Sequence, residues 1–252
     1  MDEFSRRDIE FHEHKAASYD QEITSTYGVY HRFLLEPFID RLRAEFPPPR
    51  RALDLGCGTG VVSLALARRD FSVVGVDHSQ DMLSIAEHKA ADEGLADSCQ
   101  FMTGDVRDVP FADGEFDVVT CQGLLHHLED PEPCLRELKR VLRSGGAFFL
   151  SEPTTGETPV KRGLVRVWRL VRRRTGEAEP AGPETVEEPI DFDALRATLE
   201  ALELEFEARF LTHLPPLRRL LPDKPYLAVV RTISFPWRSR QGDLVFVFGR
   251  KP

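Results

Sequence analysis

The sequence has no C-x-x-C pair among its four cysteines, no apolar run near membrane-spanning length and no excess of positive charge. Each absence removes a class of function. Cys57, Cys99, Cys121 and Cys134 lack metal-ligand spacing, and a small buried thiol is the plainer reading for most of them, so no metal site is expected. Without a stretch of about 20 apolar residues there is no spanning helix to propose. The formal net charge of −9 argues against general nucleic-acid binding, which needs a basic face. The opening residues MDEFSRRDIEFHEHK are charged throughout and lack the apolar centre of a secretory signal. A cytoplasmic, reduced protein is the expectation. No internal repeat is visible.

What is present is a β/α alternation from Arg51 onward. Short apolar runs at Ala52–Leu55, Ser72–Val76, Gln100–Thr103, Phe116–Cys121 and Ala147–Ser151 predict five strands. Helices are expected between them at Val61–Arg69, Gln80–Glu93 and Glu132–Leu142, the last following Asp130-Pro131. Upstream, Thr26–Phe46 predicts a helix that Pro47, Pro48 and Pro49 end. Downstream, Asp191–Leu202 predicts a helix with Asp191 as its N-cap. Leu204–Leu211 and Asp243–Phe248 predict two more strands around an apolar, irregular stretch near 214–240.

The densest signal is ALDLGCGTG, Ala52 to Gly60. A strand runs into Gly56, Gly58 and Gly60 at alternate positions, and an amphipathic helix follows at once. Such glycines let a chain turn with positive φ and let a ligand approach the backbone, the geometry of a nucleotide-type cofactor site. Asp54 ahead of the turn suits a cofactor bearing a positive charge better than one bearing phosphates. In this form, D-x-G-x-G-x-G, the stretch resembles motif I of the class I S-adenosylmethionine (SAM) dependent methyltransferases. Four further stretches resemble the same family: FHEHKAASYD (Phe11 to Asp20), GDV (Gly104 to Val106), FDVVTCQGLLHHLEDP (Phe116 to Pro131) and LRSGGAFFLSE (Leu142 to Glu152), with Ser144 where the family usually has Pro.

The resemblance implies a Rossmann-like α/β fold, a seven-stranded sheet in the order 3-2-1-4-5-7-6 with strand 7 antiparallel. It implies one domain: an N-terminal helical lid over 1–48, a SAM-binding core over 49–152, cap insertions at 153–190 and 214–240, and sheet-completing segments at 191–213 and 241–252. It also implies a cofactor site. Tyr19 would contact SAM from the lid. Asp54, Gly56, Cys57, Gly58 and Gly60 would form the loop beneath it. Asp77, ending strand 2, would accept both ribose hydroxyls, with His78 beside it. Met82 would pack on adenine, Asp105 would accept the adenine amine, and the Val106 amide would meet the ring. Cys121 and Gln122 would lie by the methionine part. Read from the residues alone, Asp77 serves a nicotinamide site equally well, and Met82 at helical spacing also reads as core.

Methyl transfer from a sulfonium is an in-line displacement in which the protein positions the acceptor and excludes water. A base helps where the acceptor is protonated. His126 and His127, just after strand 4, are the first candidates, followed by His31, Tyr27, Tyr30 and Glu152. The expected activity is SAM-dependent methylation of a small molecule at O or N, yielding S-adenosylhomocysteine. Val160 to Arg174 carries seven Arg or Lys and no acid, with Trp168 on its apolar face. It could meet an anionic or amphiphilic substrate, lie on an anionic membrane surface, or be solvated. Two other functions stay open. One is a SAM-fold protein that catalyses another reaction or senses SAM. The other is an NAD-dependent dehydrogenase, although no Tyr-x-x-x-Lys pair is present; nor is there a G-x-S-x-G turn of a hydrolase or an N-P-P-Y-type motif.

Overall fold

The computed structural model describes residues 30–154, 189–211, 225 and 244–252, the side chains of 31 and 32 excepted. Its seven strands are β1 (Arg51–Leu55), β2 (Ser72–Asp77), β3 (Cys99–Thr103), β4 (Phe116–Gln122), β5 (Leu142–Pro153), β6 (Glu205–Leu211) and β7 (Leu244–Arg250). They form one sheet in the order β3-β2-β1-β4-β5-β7-β6. β7 runs antiparallel to both neighbours, and every other pairing is parallel. The expected topology is therefore the observed one.

Strand periodicity divides the core. Ala52, Val73, Val118, Phe149, Phe246 and Phe248 point to one face. Leu53, Leu55, Val74, Val119, Phe148, Val245 and Val247 point to the other. Side chains at successive strand positions take opposite faces, so Phe148 and Phe149, both fully buried, anchor different layers. Burying a phenylalanine of this kind contributes about 2–3 kcal/mol. Because both faces are covered, the central strands read as continuous apolar runs.

Helices α1 (Glu36–Glu45) and α2 (Val61–Ala67) pack on the first face. Helices α4 (Glu132–Val141) and α5 (Phe192–Ala201) pack on the second. Helix α3 (Gln80–Asp92) lies against β3 and β2, with Ser79 accepting from the Met82 amide as its N-cap.

Three boundaries differ from the sequence reading. Within the stretch expected to be one helix, His31–Leu35 is a π-helical turn before α1 begins. Pro37 has no N–H to return to the Phe33 carbonyl, so the helix changes register there. Residues 30–46 also contribute Tyr30, Leu35, Ile39 and Leu42 to the core beneath the sheet, with Tyr30 against Phe246 at 5.9 Å. β5 starts earlier than expected. Leu142 pairs with Phe116, and the register then jumps to Ala147 opposite Val118, with Gly145 at φ +73° absorbing the extra residues. The helix expected through Arg69 ends at Ala67, where the chain turns through Asp70 at φ +62°. The remaining expected elements match to within a few residues. Tyr19, Tyr27, the basic stretch 160–174 and the insertion 214–240 lie outside the described residues, residue 225 apart.

Candidate cofactor cleft and histidine turn

A cleft opens at the carboxyl ends of β1, β2 and β4, where the strand order reverses, the usual ligand position in such sheets. Gly56, Gly58, Asp77, Ser79, Met82, Gln122 and His127 line it, together with His78, Gly123 and Leu124. The sequence reading named seven of these ten; Ser79, Gly123 and Leu124 were missed, although a serine ahead of a helical pattern is a capping signal.

The glycine loop is built as its spacing requires. Gly56, Gly58 and Gly60 have φ of +67°, +49° and +78°. A Cβ on Gly56 would stand 2.8 Å from a Leu124 methyl, and one on Gly60 would stand 2.9 Å from the Ala86 Cβ. Residues with side chains are disfavoured at both positions by conformation and by space. The loop is tied down by the Gly56 and Cys57 amides, which donate to the Val76 carbonyl at 2.8 and 3.1 Å.

Two acids flank this loop in different states. Asp54 is buried between two hydroxyls: Ser63 Oγ donates to it at 2.6 Å and Thr120 Oγ1 at 2.7 Å. Burial pushes its carboxyl up to about 6, against the two hydrogen bonds that hold it down. It fastens β1 to β4 and α2, behind the lining of the cleft. Asp77 instead faces the cleft. Its carboxylate accepts from the Gly58 amide at 2.8 Å and the Ser79 amide at 2.9 Å, one on each oxygen. A carboxylate has about four acceptor positions, so two remain for hydroxyls of a ligand.

The other predicted cofactor residues divide. Met82 is 2% exposed and also lines the cleft, so core packing and ligand contact coexist there. Cys57 is buried with its thiol pushed well up by desolvation, its Sγ 3.9 Å from the Gly58 carbonyl. Cys121 is fully buried, its thiol raised by a hydrogen bond with Cys134 and by burial. Val106 is in the core. Gly60, Cys57, Cys121, Asp105 and Val106 are not part of the cleft lining. Asp105 is held by Arg107, whose Nε and Nη2 both reach it at 2.9 Å and lower its carboxyl from the usual range.

Gln122 ends β4 and lines the cleft, its Oε1 buried and without a hydrogen-bond partner among the described residues. A buried acceptor left unpaired costs about 1–3 kcal/mol, and a cationic donor on a ligand would remove that cost.

Beyond Gln122, a 3-10 turn over Leu125–His127 carries the two histidines. His127 lines the cleft, while His126 is turned away from it toward Glu152 of β5. His126 Nδ1 and Glu152 Oε2 are 2.6 Å apart, and both side chains are almost wholly buried. Glu152 Oε1 accepts from the Leu124 and Leu125 amides at 3.1 and 3.0 Å. The two imidazole rings lie 4.0 Å apart, tilted by 39°. Sequence reasoning named each of these residues but not their pairing. The available signal was an acid inside an apolar strand, AFFLSE, since a fully buried acid demands partners. Tyr30 is buried in the core and does not reach the cleft. The side chain of His31 lies outside the described residues.

Comparison with known proteins accords with this geometry. Residues 53–150 match a family described as "Methyltransferase domain". The chain is 35% identical over 167 residues to ajmaline N-methyltransferase of Rauvolfia serpentina, covering 63% of this chain and 57% of that protein. It is 37% identical over 102 residues to a ubiquinone biosynthesis O-methyltransferase of Aeromonas salmonicida, covering 40% and 42%. The chain thus spans about half the length of the curated relatives it matches. Among solved structures, the YcgJ protein of Bacillus subtilis superposes with a TM-score of 0.59 at 24% identity, covering 88% of this chain and 99% of that one. The [4+2]-cyclase SpnF superposes at 0.57 and 22% identity, covering 86% and 81%. Among the described residues no helix is long and apolar enough to cross a membrane, and no cluster of His, Cys, Asp and Glu could hold a metal ion. The glycine loop and the sheet order lie within or around residues 53–150, the stretch similar to a methyltransferase domain, and the chain carries the same Rossmann-like seven-stranded fold as the solved structures it resembles.

Proposed function

We propose that the chain transfers the methyl group of SAM to an oxygen or nitrogen of a small-molecule acceptor. The observation that carries this reading is one cleft lined by Asp77, Met82, Gln122 and His127, with the Gln122 oxygen buried and unpaired among the described residues. Asp77 would take the ribose hydroxyls. Gln122 Oε1 would take the α-ammonium of the methionine end, and Met82 would pack on the adenine. Asp54 would support the loop from behind as a nearby negative charge. Asp105 would reach the adenine amine only by sharing or leaving Arg107. Bound SAM supplies an activated methyl that needs no further electrophilic assistance. The residues of this chain then hold the acceptor in line, keep water out, and remove the acceptor proton. His127 is suited to that last task by its place on the cleft wall.

Similarity to an N-methyltransferase and to O-methyltransferases supports an N or O acceptor. Acceptor selection would lie in the part of the expected lid ahead of residue 30 and in the caps over 153–190 and 214–240, since residues 30–46 pack in the core beneath the sheet. The basic stretch 160–174 suits an anionic or amphiphilic acceptor, or contact with an anionic membrane surface. Four free cysteines, all buried, fit a reducing cytoplasm.

A second reading keeps the SAM site but assigns the cleft another reaction. The structural likeness to a cyclase favours considering it. Incubation with SAM and panels of amines and phenols separates the two. The first reading requires S-adenosylhomocysteine and a methylated product together. SAM binding without S-adenosylhomocysteine formation across both panels favours the second. Failure to bind SAM overturns both.

A further inference from the structure

The methyltransferase reading makes His127 the base, and the structure adds a residue behind it. Glu152 comes from the end of β5, a strand that contributes nothing to the lining of the cofactor cleft, and both of its carboxylate oxygens are engaged. Oε1 receives two backbone N–H groups, from Leu124 and Leu125, the residues that start the histidine turn. Oε2 meets His126 Nδ1 at 2.6 Å. The ring of His126 in turn lies against the ring of His127 at 4.0 Å. One buried side chain thus fixes the turn at three points and is not part of the cleft lining.

We infer that Glu152 is the positioning residue of the histidine pair, holding His126 with its proton on Nδ1 and keeping the turn that presents His127 to the cleft. The inference rests on the methyltransferase reading for its purpose, but not for its chemistry. Two amide donors occupy Oε1, which leaves Oε2 as the oxygen that meets His126. With Glu152 as the acceptor in that short contact, the proton lies on the imidazole Nδ1. Neutral His126 is then the Nδ1–H tautomer, with Nε2 as its basic nitrogen. A buried, hydrogen-bonded acid that selects one imidazole tautomer fixes ring orientation as well as proton position.

A glutamine at this position separates positioning from mere packing. Glu152→Gln has the same shape, but its amide has one oxygen. The Leu124 and Leu125 amides, which can only donate, claim that oxygen. The amide nitrogen then faces His126 and donates to Nδ1, which forces the imidazole proton to Nε2. Nitrogen-edited NMR of the histidine rings reads this directly, with the His126 signals assigned by their loss in His126→Gln. Spectra are taken at about pH 9, above the ordinary imidazole range. The expected result is a proton on Nδ1 of His126 in the wild type and inversion to Nε2–H in Glu152→Gln, with circular dichroism unchanged. A wild-type His126 carrying its proton on Nε2 alone overturns the inference, as does an unchanged tautomer in a folded Glu152→Gln protein. If that variant does not fold, the wild-type spectrum decides by itself. The measurement needs neither SAM nor acceptor. A wild type that shows Nδ1–H but binds no SAM in calorimetry would refute the proposed function and leave the Glu152 assignment standing.

Discussion

The two walls of the cleft are built on different principles. The loop wall, from β1 through Asp77, is local: its glycines, its acids and its flanking strand and helix lie within 26 residues of one another, Ala52 to Asp77. The histidine wall is drawn from a comparable length of chain but is held by a side chain, since Glu152 reaches back 26 residues to His126 across the join of β4 and β5. The loop wall is shaped by the backbone conformation of its glycines. The opposite wall is tied by one buried side chain, Glu152, which meets the Leu124 and Leu125 amides and His126.

The largest expected effect belongs to the histidine wall. His127→Ala should lower turnover of any acceptor the wild type methylates by about 10²–10⁴-fold, the usual contribution of a positioned base. Calorimetry should find SAM affinity within a few-fold of wild type. A variant with full activity would break the division of labour between the walls.

Next is Asp54, where the loop wall holds a buried acid. Its folded-state carboxyl sits at about 6, above the ordinary value of 3.8. The folded protein therefore binds this proton more tightly than the unfolded chain. The stability contributed by protonation is fully present below about pH 4 and is lost as the pH rises through about 6, amounting to about 3 kcal/mol. Asp54→Asn removes this titration. Chemical denaturation from about pH 4 to 7 should show the wild type losing stability relative to the variant by that order. A difference that stays constant across the window would contradict the assignment.

Smaller again is a paired test of the loop backbone. Gly56 and Gly94 share nearly the same φ, +67° and +69°, but a Cβ meets Leu124 at the first and nothing within 4 Å at the second. Gly94→Ala should cost about 1 kcal/mol, the conformational term alone. Gly56→Ala should cost about 1 kcal/mol more, because Leu124 must move. Equal losses in thermal unfolding would mean that the two walls do not touch through Leu124.

Legibility in the sequence follows the same division. The glycine loop and Asp77 were readable because each depends on spacing within one β/α unit, whereas the sheet order followed from the family resemblance. Ser63 and Thr120 as partners of Asp54 were not, since nothing in a sequence says that a helix serine and a strand threonine will meet one carboxylate. The Glu152–His126 pair was hidden for the same reason, although a glutamate in an apolar strand marked one end of it. Asp105 was named from resemblance as a ligand of adenine. The structure pairs it with Arg107, two residues on, a local competition that charge spacing could have suggested.

The central claim is that this cleft binds SAM through Asp77. Calorimetric titration of SAM into wild type and Asp77→Ala tests it most directly. Losing charge-assisted hydrogen bonds to the ribose should weaken binding by about tenfold or more, over 1.4 kcal/mol, in a variant that remains folded. Equal affinity in the two proteins would contradict the site.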